Sequence, residues 1–430
     1  MSDKRRLYSR WMNTLDANKS TIALVDLQTE QKLTFLELDR LLQEKPSTSD
    51  PVIAESSGVD FIIHALWAWR EGVAFIPMEA SSRLDLKRLN GIPSETAHVK
   101  HTSGTTGEPR LVLFTQCQLE ADADQIVKSM GLTEYDWNIG LISIVHSYGF
   151  SSLILPLLLH GIPLILGNSP LPETLKLALA QVNDRAVLPA VPAMWSAWHK
   201  SGILMNSSIG LAVSAGAPLS VQLEKEIFIS SGIKVHNFYG SSECGGIAYD
   251  YSNDLRNSSN IVGHPISGVS IDLSESGRLM VGSQAAAIGY WPAESSGELG
   301  NSQFITPDLA EIDQVTGDVI LIGRINEIIN VAGRKLSPLD VEKVMMGITG
   351  IQLCVVFGVP SNDADRVEDI VACYSALKDM DKKHLSGEMQ KKLPAWKLPR
   401  ILWQHNALAI NNLGKLSRFH WRQKFLKRSR

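Results

Sequence analysis

The chain has 430 residues, 44% of them apolar and 20% charged, with a formal net charge of −4. That balance gives no global reason to bind nucleic acid, and the length allows a large core in more than one domain. Cys117, Cys244, Cys354 and Cys373 form no CxxC pair and the histidines show no metal-ligand spacing, so a reducing, cytoplasmic setting is expected. The opening MSDKRRLYSRW lacks the apolar core of a secretory signal. Ser151–Leu166 is the most apolar run, but Pro156, His160 and Pro163 break it. It is too short to span a bilayer, and no stable membrane insertion is expected.

In chain order, Thr21–Asp26 reads as a strand, and Thr34 as the N-cap of a helix over Phe35–Leu42 with Phe35, Leu38, Leu41 and Leu42 on one face. Val52–Ala54 is a strand, Gly58–Glu71 an apolar helix and Val73–Met78 a buried strand. Alternation of helix and apolar strand predicts an α/β fold with a largely parallel sheet. Next comes HTSGTTGEPR, His101–Arg110, between two β-like runs, His98–Lys100 and Leu111–Phe114. Thr102, Ser103, Thr105 and Thr106 gather hydroxyls, and Gly104 and Gly107 let the backbone approach a ligand. Arg110 adds a cation that can grip phosphate bidentately. Such a loop can cradle a polyphosphate, although a solvated turn would look the same taken alone. No Gly-Lys-Ser/Thr closes it, so it is not a Walker A loop.

Beyond it, Leu119–Met130 reads as a helix and Ile139–Val145 as a buried strand ending at His146. The carboxyl end of such a strand is where α/β sheets bind ligands. Leu153–His160 is a buried helix, and Pro163–Leu166, Ala186–Pro189 and Leu211–Val213 are short strands. Ser214–Pro218 is a tight turn before a helix over Val221–Ile229 capped by Ser220. Ile233–Asn237 is a strand leading into a second polar loop, Tyr239–Gly246. There Tyr239 offers a flat face, Gly240 a close approach, Ser242 a hydroxyl and Glu243 a hard oxygen for Mg²⁺.

Shorter, turn-rich strands follow over Gly277–Val281, Phe304–Ile312 and Val319–Ile322. Gly317-Asp318 has the chemistry of a hairpin turn, whereas Asp308 sits at a strand start, free to face a ligand. From about residue 327 the chain reads as a small α+β domain. Ser337-Pro338 opens a helix, Leu353–Gly358 and Asp369–Leu377 are strands, and Lys382–Lys392 is a helix. Lys415 lies on a turn after Gly414, and from there to Arg430 the tail has basic but no acidic residues, so an exposed amphipathic helix is expected.

Taken in order, TSGTTGEPR, SAGAP, NFYGSSE, FITPDLAEID, GRINEIINVAGRKLSPLDVE and LGKLSR resemble the motifs of the adenylate-forming superfamily. That superfamily comprises acyl-CoA synthetases, luciferases and adenylation domains, and the resemblance runs from Thr21 to Arg418. It implies a large α/β domain over 1–323, a hinge at 324–326 and a small mobile α+β domain over 327–430. It implies ATP-dependent activation of an acid to an acyl-adenylate, with Mg²⁺, followed by transfer to a thiol. By motif, Thr102, Ser103, Gly104, Thr105, Thr106, Gly107 and Arg110 would hold the ATP phosphates. Gly216, Ala217 and Pro218 would line one face of adenine and Tyr239 the other, with Asn237 at its exocyclic amine and Gly240 beside it. Ser242 would touch the α-phosphate, Glu243 the Mg²⁺, and Asp308 with Arg324 the ribose. His146 would sit near the acid's carboxylate, and Lys415 would bridge phosphate and carboxylate.

Some positions depart from the pattern. Arg110 replaces the usual lysine, Pro307 the usual glycine, and Asn326 the usual aspartate or lysine hinge. The span between Met78 and His101 is short. Ser147 stands where amino-acid activators place an aspartate, so a plain carboxylic acid is favoured: an unpaired buried ammonium would cost several kcal/mol, roughly. Trp195, Met194 and Gly245-Gly246 would shape an aryl or medium acyl pocket. Coenzyme A is the expected acceptor, with a phosphopantetheinyl carrier protein as one alternative and a nucleotide-binding pseudoenzyme as another.

Overall fold

A computed structural model describes residues 3–55, 57–79, 89, 91–102, 110–205, 207–293, 297–361, 363, 367–408 and 416–428. Six strands form a parallel core, in the order Ile22–Asp26, Leu164–Leu166, Trp137–Gly140, Ala186–Ala190, Ile209–Ser214 and Val235–Ser241. From Val235–Ser241 the same path continues antiparallel through Gly245–Tyr249, Ile261–Pro265, Val319–Arg324, Gln303–Ile312, Arg278–Ser283 and Val269–Leu273. A second sheet runs Gly289–Trp291, Arg110–Phe114, His98–Thr102, Phe75–Pro77, Val52–Ala54. The α/β class is as expected, but the sheet is parallel only in part: where short turns replace helical crossovers, neighbouring strands must reverse.

The main core lies between these sheets and holds the helix Val59–Glu71, with Phe61, Leu66 and Trp69 fully buried. Thr34 does cap Phe35–Gln43, in a complete capping box with Glu37. An N-terminal helix, Arg6–Asn18, packs Leu7, Trp11 and Leu15 into the same core. Their spacing places them on one helical face.

Two expected strand bounds move, and both matter for the site. The run expected as a strand over Ile139–Val145 ends at Gly140, opposite Leu166, after which Leu141–Val145 leave the sheet and line a cavity. The strand expected over Ile233–Asn237 instead spans Val235–Ser241, carrying the polar loop's first residues within the ladder. Gly240 is required by this hairpin, since a Cβ there would lie 2.6 Å from the Gly245 carbonyl oxygen. Asp308 is not at a strand start but within Gln303–Ile312, directly opposite Arg324.

Near the C-terminus a three-stranded sheet, Ile351–Pro360, Glu368–Ala376 and Ile401–Gln404, carries apolar clusters on its two faces. The helix Pro338–Met346 covers one face, though Ser337 makes no side-chain cap bond to it. The tail forms a helix, Arg418–Arg428, which is not simply exposed: Trp421 is buried against Trp403. Arg418 anchors its start, donating to the Val356 carbonyl at 2.7 Å, to Glu342 at 2.8 Å, and to Glu327. No helix among the described residues is long and apolar enough to cross a membrane.

Candidate active site

The carboxyl ends of the parallel strands open onto a cavity of about 900 Å³. Arg110, His146, Gly216, Gly240, Ser242, Glu243, Asp308 and Arg324 all line it. Residues separated by some two hundred positions in the chain therefore meet in one space.

On the antiparallel side, register does the positioning. Asp308 and Arg324 are cross-strand partners, and Arg324 Nε donates to Asp308 Oδ1 at 3.0 Å. The other carboxylate oxygen accepts from the Tyr239 hydroxyl at 2.6 Å. Burial, and then the adjoining Asp308 charge, hold the Tyr239 phenol well above its ordinary pKa, so it remains a donor. Asp318, by contrast, sits in the hairpin turn, accepts from Thr316 Oγ1 at 2.8 Å, and lies outside the cavity wall.

The centre of the cavity is ionic. Arg110 pairs with Thr102 across the strand ladder and stacks over Tyr290, 4.1 Å from the ring centroid. The Tyr290 hydroxyl donates to Glu243 Oε1 at 3.1 Å. His146 Nε2 lies 2.8 Å from Glu79 Oε1. Glu79 was not singled out from sequence, although it comes two residues after the buried strand Phe75–Pro77 and the rule that pointed to His146 applies to it equally. Ser147 Oγ donates to Ser242 Oγ at 3.1 Å, linking the two polar loops. Cys244, behind them, is buried and its thiol is pushed up to about 12 by that burial.

On the parallel side the wall is apolar: Ile142, Ile144, Val145, Tyr148, Val191, Met194 and Phe238, with Gly245 and Gly246 at its floor. A Cβ at Gly245 would lie 2.0 Å from Asp122 Oδ1, so this floor is glycine by necessity. Trp195 is not part of the wall. It is fully buried in the core, where its Nε1 donates to the Val213 carbonyl at 3.3 Å. Ala217 and Pro218 follow Gly216 in its turn, beyond the lining. Asn237 lies behind the wall, donating to the Ile261 carbonyl at 3.1 Å. Ser103, Gly104, Thr105, Thr106, Gly107 and Lys415 lie outside the described residues, as does the Thr102 side chain.

Glu243 fits a Mg²⁺ ligand: it lines the cavity, and Mg²⁺ is commonly held by one or two carboxylates together with substrate phosphates. Among the described residues no group of three or more His, Cys, Asp or Glu side chains gathers into a metal cage.

The cavity thus has a carboxylate clamp on one flank, the Arg110 guanidinium within it and an apolar far wall, all set at strand ends. The chain belongs to the AMP-binding enzyme family, whose profile matches residues 14–291; its class is that of AMP-forming acid–thiol ligases. The 2-succinylbenzoate–CoA ligase of Staphylococcus epidermidis is 24% identical over 386 residues, covering 86% of this chain and 80% of that protein. The 3,4-dihydroxybenzoate–[aryl-carrier protein] ligase of Bacillus anthracis is 23% identical over 345 residues, covering 79% and 77%. Among solved structures, ATP-bound MatB from Rhodopseudomonas palustris superposes with a TM-score of 0.87 at 20% identity, over 99% of this chain and 100% of that one.

Proposed function

We propose that this enzyme uses ATP to convert a monocarboxylic acid with an apolar body, aryl or of short to medium length, into its acyl-adenylate, and then passes the acyl group to the thiol of coenzyme A. The observation that carries this reading is the division of one cavity between the Tyr239–Asp308–Arg324 clamp and an apolar wall, with Arg110, His146 and Glu243 between them.

In the first half-reaction a carboxylate oxygen attacks the α-phosphorus, the bond from that phosphorus to the α,β-bridging oxygen breaks, and pyrophosphate leaves with the bonding pair. An anion approaches an anion, so alignment and positive charge lower the barrier. Asp308 accepts from the ribose hydroxyls, and its bonds to Tyr239 and Arg324 fix its orientation before the ligand arrives. Gly216 and Gly240, which line the cavity, lie against the adenine, with Ala217, Pro218, Tyr239 and Asn237 behind them. Arg110 and the loop Thr102–Gly107 hold phosphate oxygens. Mg²⁺ held at Glu243 supplies further positive charge to the phosphates. Ser242 meets the α-phosphate and His146 the acid's carboxylate. In the second half-reaction the thiol sulfur attacks the acyl carbon, AMP leaves with the bonding pair, and the thiol proton passes to solvent.

Residues 327–430 would carry Lys415 to the reacting anions for the first step and turn away for the second, with the join at 324–326. The separate apolar clusters of the C-terminal sheet support this division, and Ile325–Glu327 is a single 3-10 turn between strands.

Acid-dependent exchange of pyrophosphate into ATP tests the adenylation step, and its absence across aryl and medium-chain acids would leave a nucleotide-binding pseudoenzyme. The resemblance to an aryl-carrier protein ligase supports a second acceptor. A free CoA thioester among the products decides for coenzyme A, and transfer confined to a phosphopantetheinyl carrier decides for the carrier.

A further inference from the structure

Lys100 lies on the strand His98–Thr102, opposite Val112, and lines the cavity. Alternate residues of a strand share a face, and on that face His98 stacks on Phe150 at 4.4 Å. The Lys100 side chain is 3% exposed, and its ammonium lies over the Phe114 ring, 4.4 Å from the centroid. Its Nζ has no hydrogen-bond partner among the described residues. Burial pulls its pKa below the ordinary lysine value, against an opposing influence led by Asp122. A cation so placed has lost its hydration and gained no acceptor in return. Lys234 shows the usual remedy: with a side chain 7% exposed, it donates to both Glu224 and Asp250.

A buried ammonium at a cavity wall, without acceptors, suits an anion that arrives with a ligand. The fold indicates which anion. The Lys100 strand ends at Thr102, where the segment expected to hold phosphate begins in the sequence, and Arg110 lies on the strand beside it. Glu243 is among the charges acting on the amine. We propose that Lys100 is an additional phosphate-binding cation, donating to a non-bridging phosphate oxygen of the bound nucleotide. This rests on the nucleotide-site reading above. Lys100 belongs to a sheet of the large unit, so its charge stays in place through both half-reactions, whereas Lys415 is carried by the unit proposed to rotate.

The competing role is a fixed counter-ion for Asp122 and Glu243. Lys100→Met keeps the length of the side chain and removes its charge. Calorimetric titration of wild type and variant with AMP and with adenosine, beside thermal melting, separates the roles. The expected result is AMP affinity weaker by about tenfold to a hundredfold, as for loss of one charge-assisted hydrogen bond. Adenosine affinity should be unchanged, and the melting temperature equal or higher, since an apolar replacement in a buried charged site is often neutral or stabilising. Unchanged AMP affinity overturns the proposal, as does a fall in melting temperature with AMP and adenosine weakened alike, which is the counter-ion's signature. A raised KM for the acid with intact AMP binding also overturns it and assigns the amine to the acid. If wild type itself does not prefer AMP to adenosine, the nucleotide-site reading fails and takes this one with it.

Discussion

Two clusters of charge flank the same path of strands and differ in what completes them. Around Glu224, which is fully buried, Lys234 and Arg256 supply cations and Asp250 a second carboxylate. Arg256 also donates to the carbonyls of Ile261 at 2.8 Å and Leu219 at 3.0 Å. Two acids meet two bases, the donors find acceptors within the protein, and none of the four residues lines the cavity. The clamp of Tyr239, Asp308 and Arg324 is organised just as tightly, but Asp308 and Arg324 open onto the cavity. Closure within the protein marks a charge cluster that holds the fold; an open side marks one that awaits a ligand.

The largest effect should come from breaking the closed cluster. Glu224→Ala takes from two buried cations the carboxylate they share and should cost about 3–5 kcal/mol of stability, measured by chemical denaturation. The protein that remains folded should bind AMP normally; weakened AMP binding at unchanged stability would erase the distinction between the clusters.

Next comes Lys415, proposed above to bridge the reacting anions. Lys415→Ala should slow adenylation by about a hundredfold or more while leaving conversion of synthetic acyl-adenylate to thioester near the wild-type rate. Single-turnover assays of each half-reaction measure this, and equal losses in both would make Lys415 a structural residue.

Asp308→Ala should raise the KM for ATP about tenfold or more through loss of the ribose acceptor. Its melting temperature should fall much less than that of Glu224→Ala. Asp318→Ala, in the hairpin turn, should change stability by about 0.5 kcal/mol or less and leave the KM for ATP alone. An exchange of these two outcomes would show that the ribose carboxylate has been misassigned.

That Asp318 lies in a hairpin turn was legible in the sequence because turn chemistry is local: Gly317-Asp318 between two β runs needs no tertiary information. The order of motifs likewise placed Glu243, His146 and Arg324 near strand ends, where the cavity lies. The N-terminal helix left a readable stripe in Leu7, Trp11 and Leu15, but its charged opening drew attention to targeting instead. Lys100 left no such trace. A lysine in a short β run with alternating polar residues reads as solvent-facing, and only the packing of Phe114 and Phe150 encloses that strand face. Trp195 failed in the opposite direction: it neighbours Met194 in sequence, yet helical geometry turns the two apart, one to the cavity and one to the core.

The ion pair between Arg418 and Glu327 joins positions 91 apart in the chain. Glu327 comes immediately after the proposed join, and Arg418 opens the last helix. If residues 327–430 turn as one body, as proposed, this clasp ties the start of that body to its last described helix. Exchanging the span for that of a relative should then keep the body folded only when the incoming span brings both halves of the clasp.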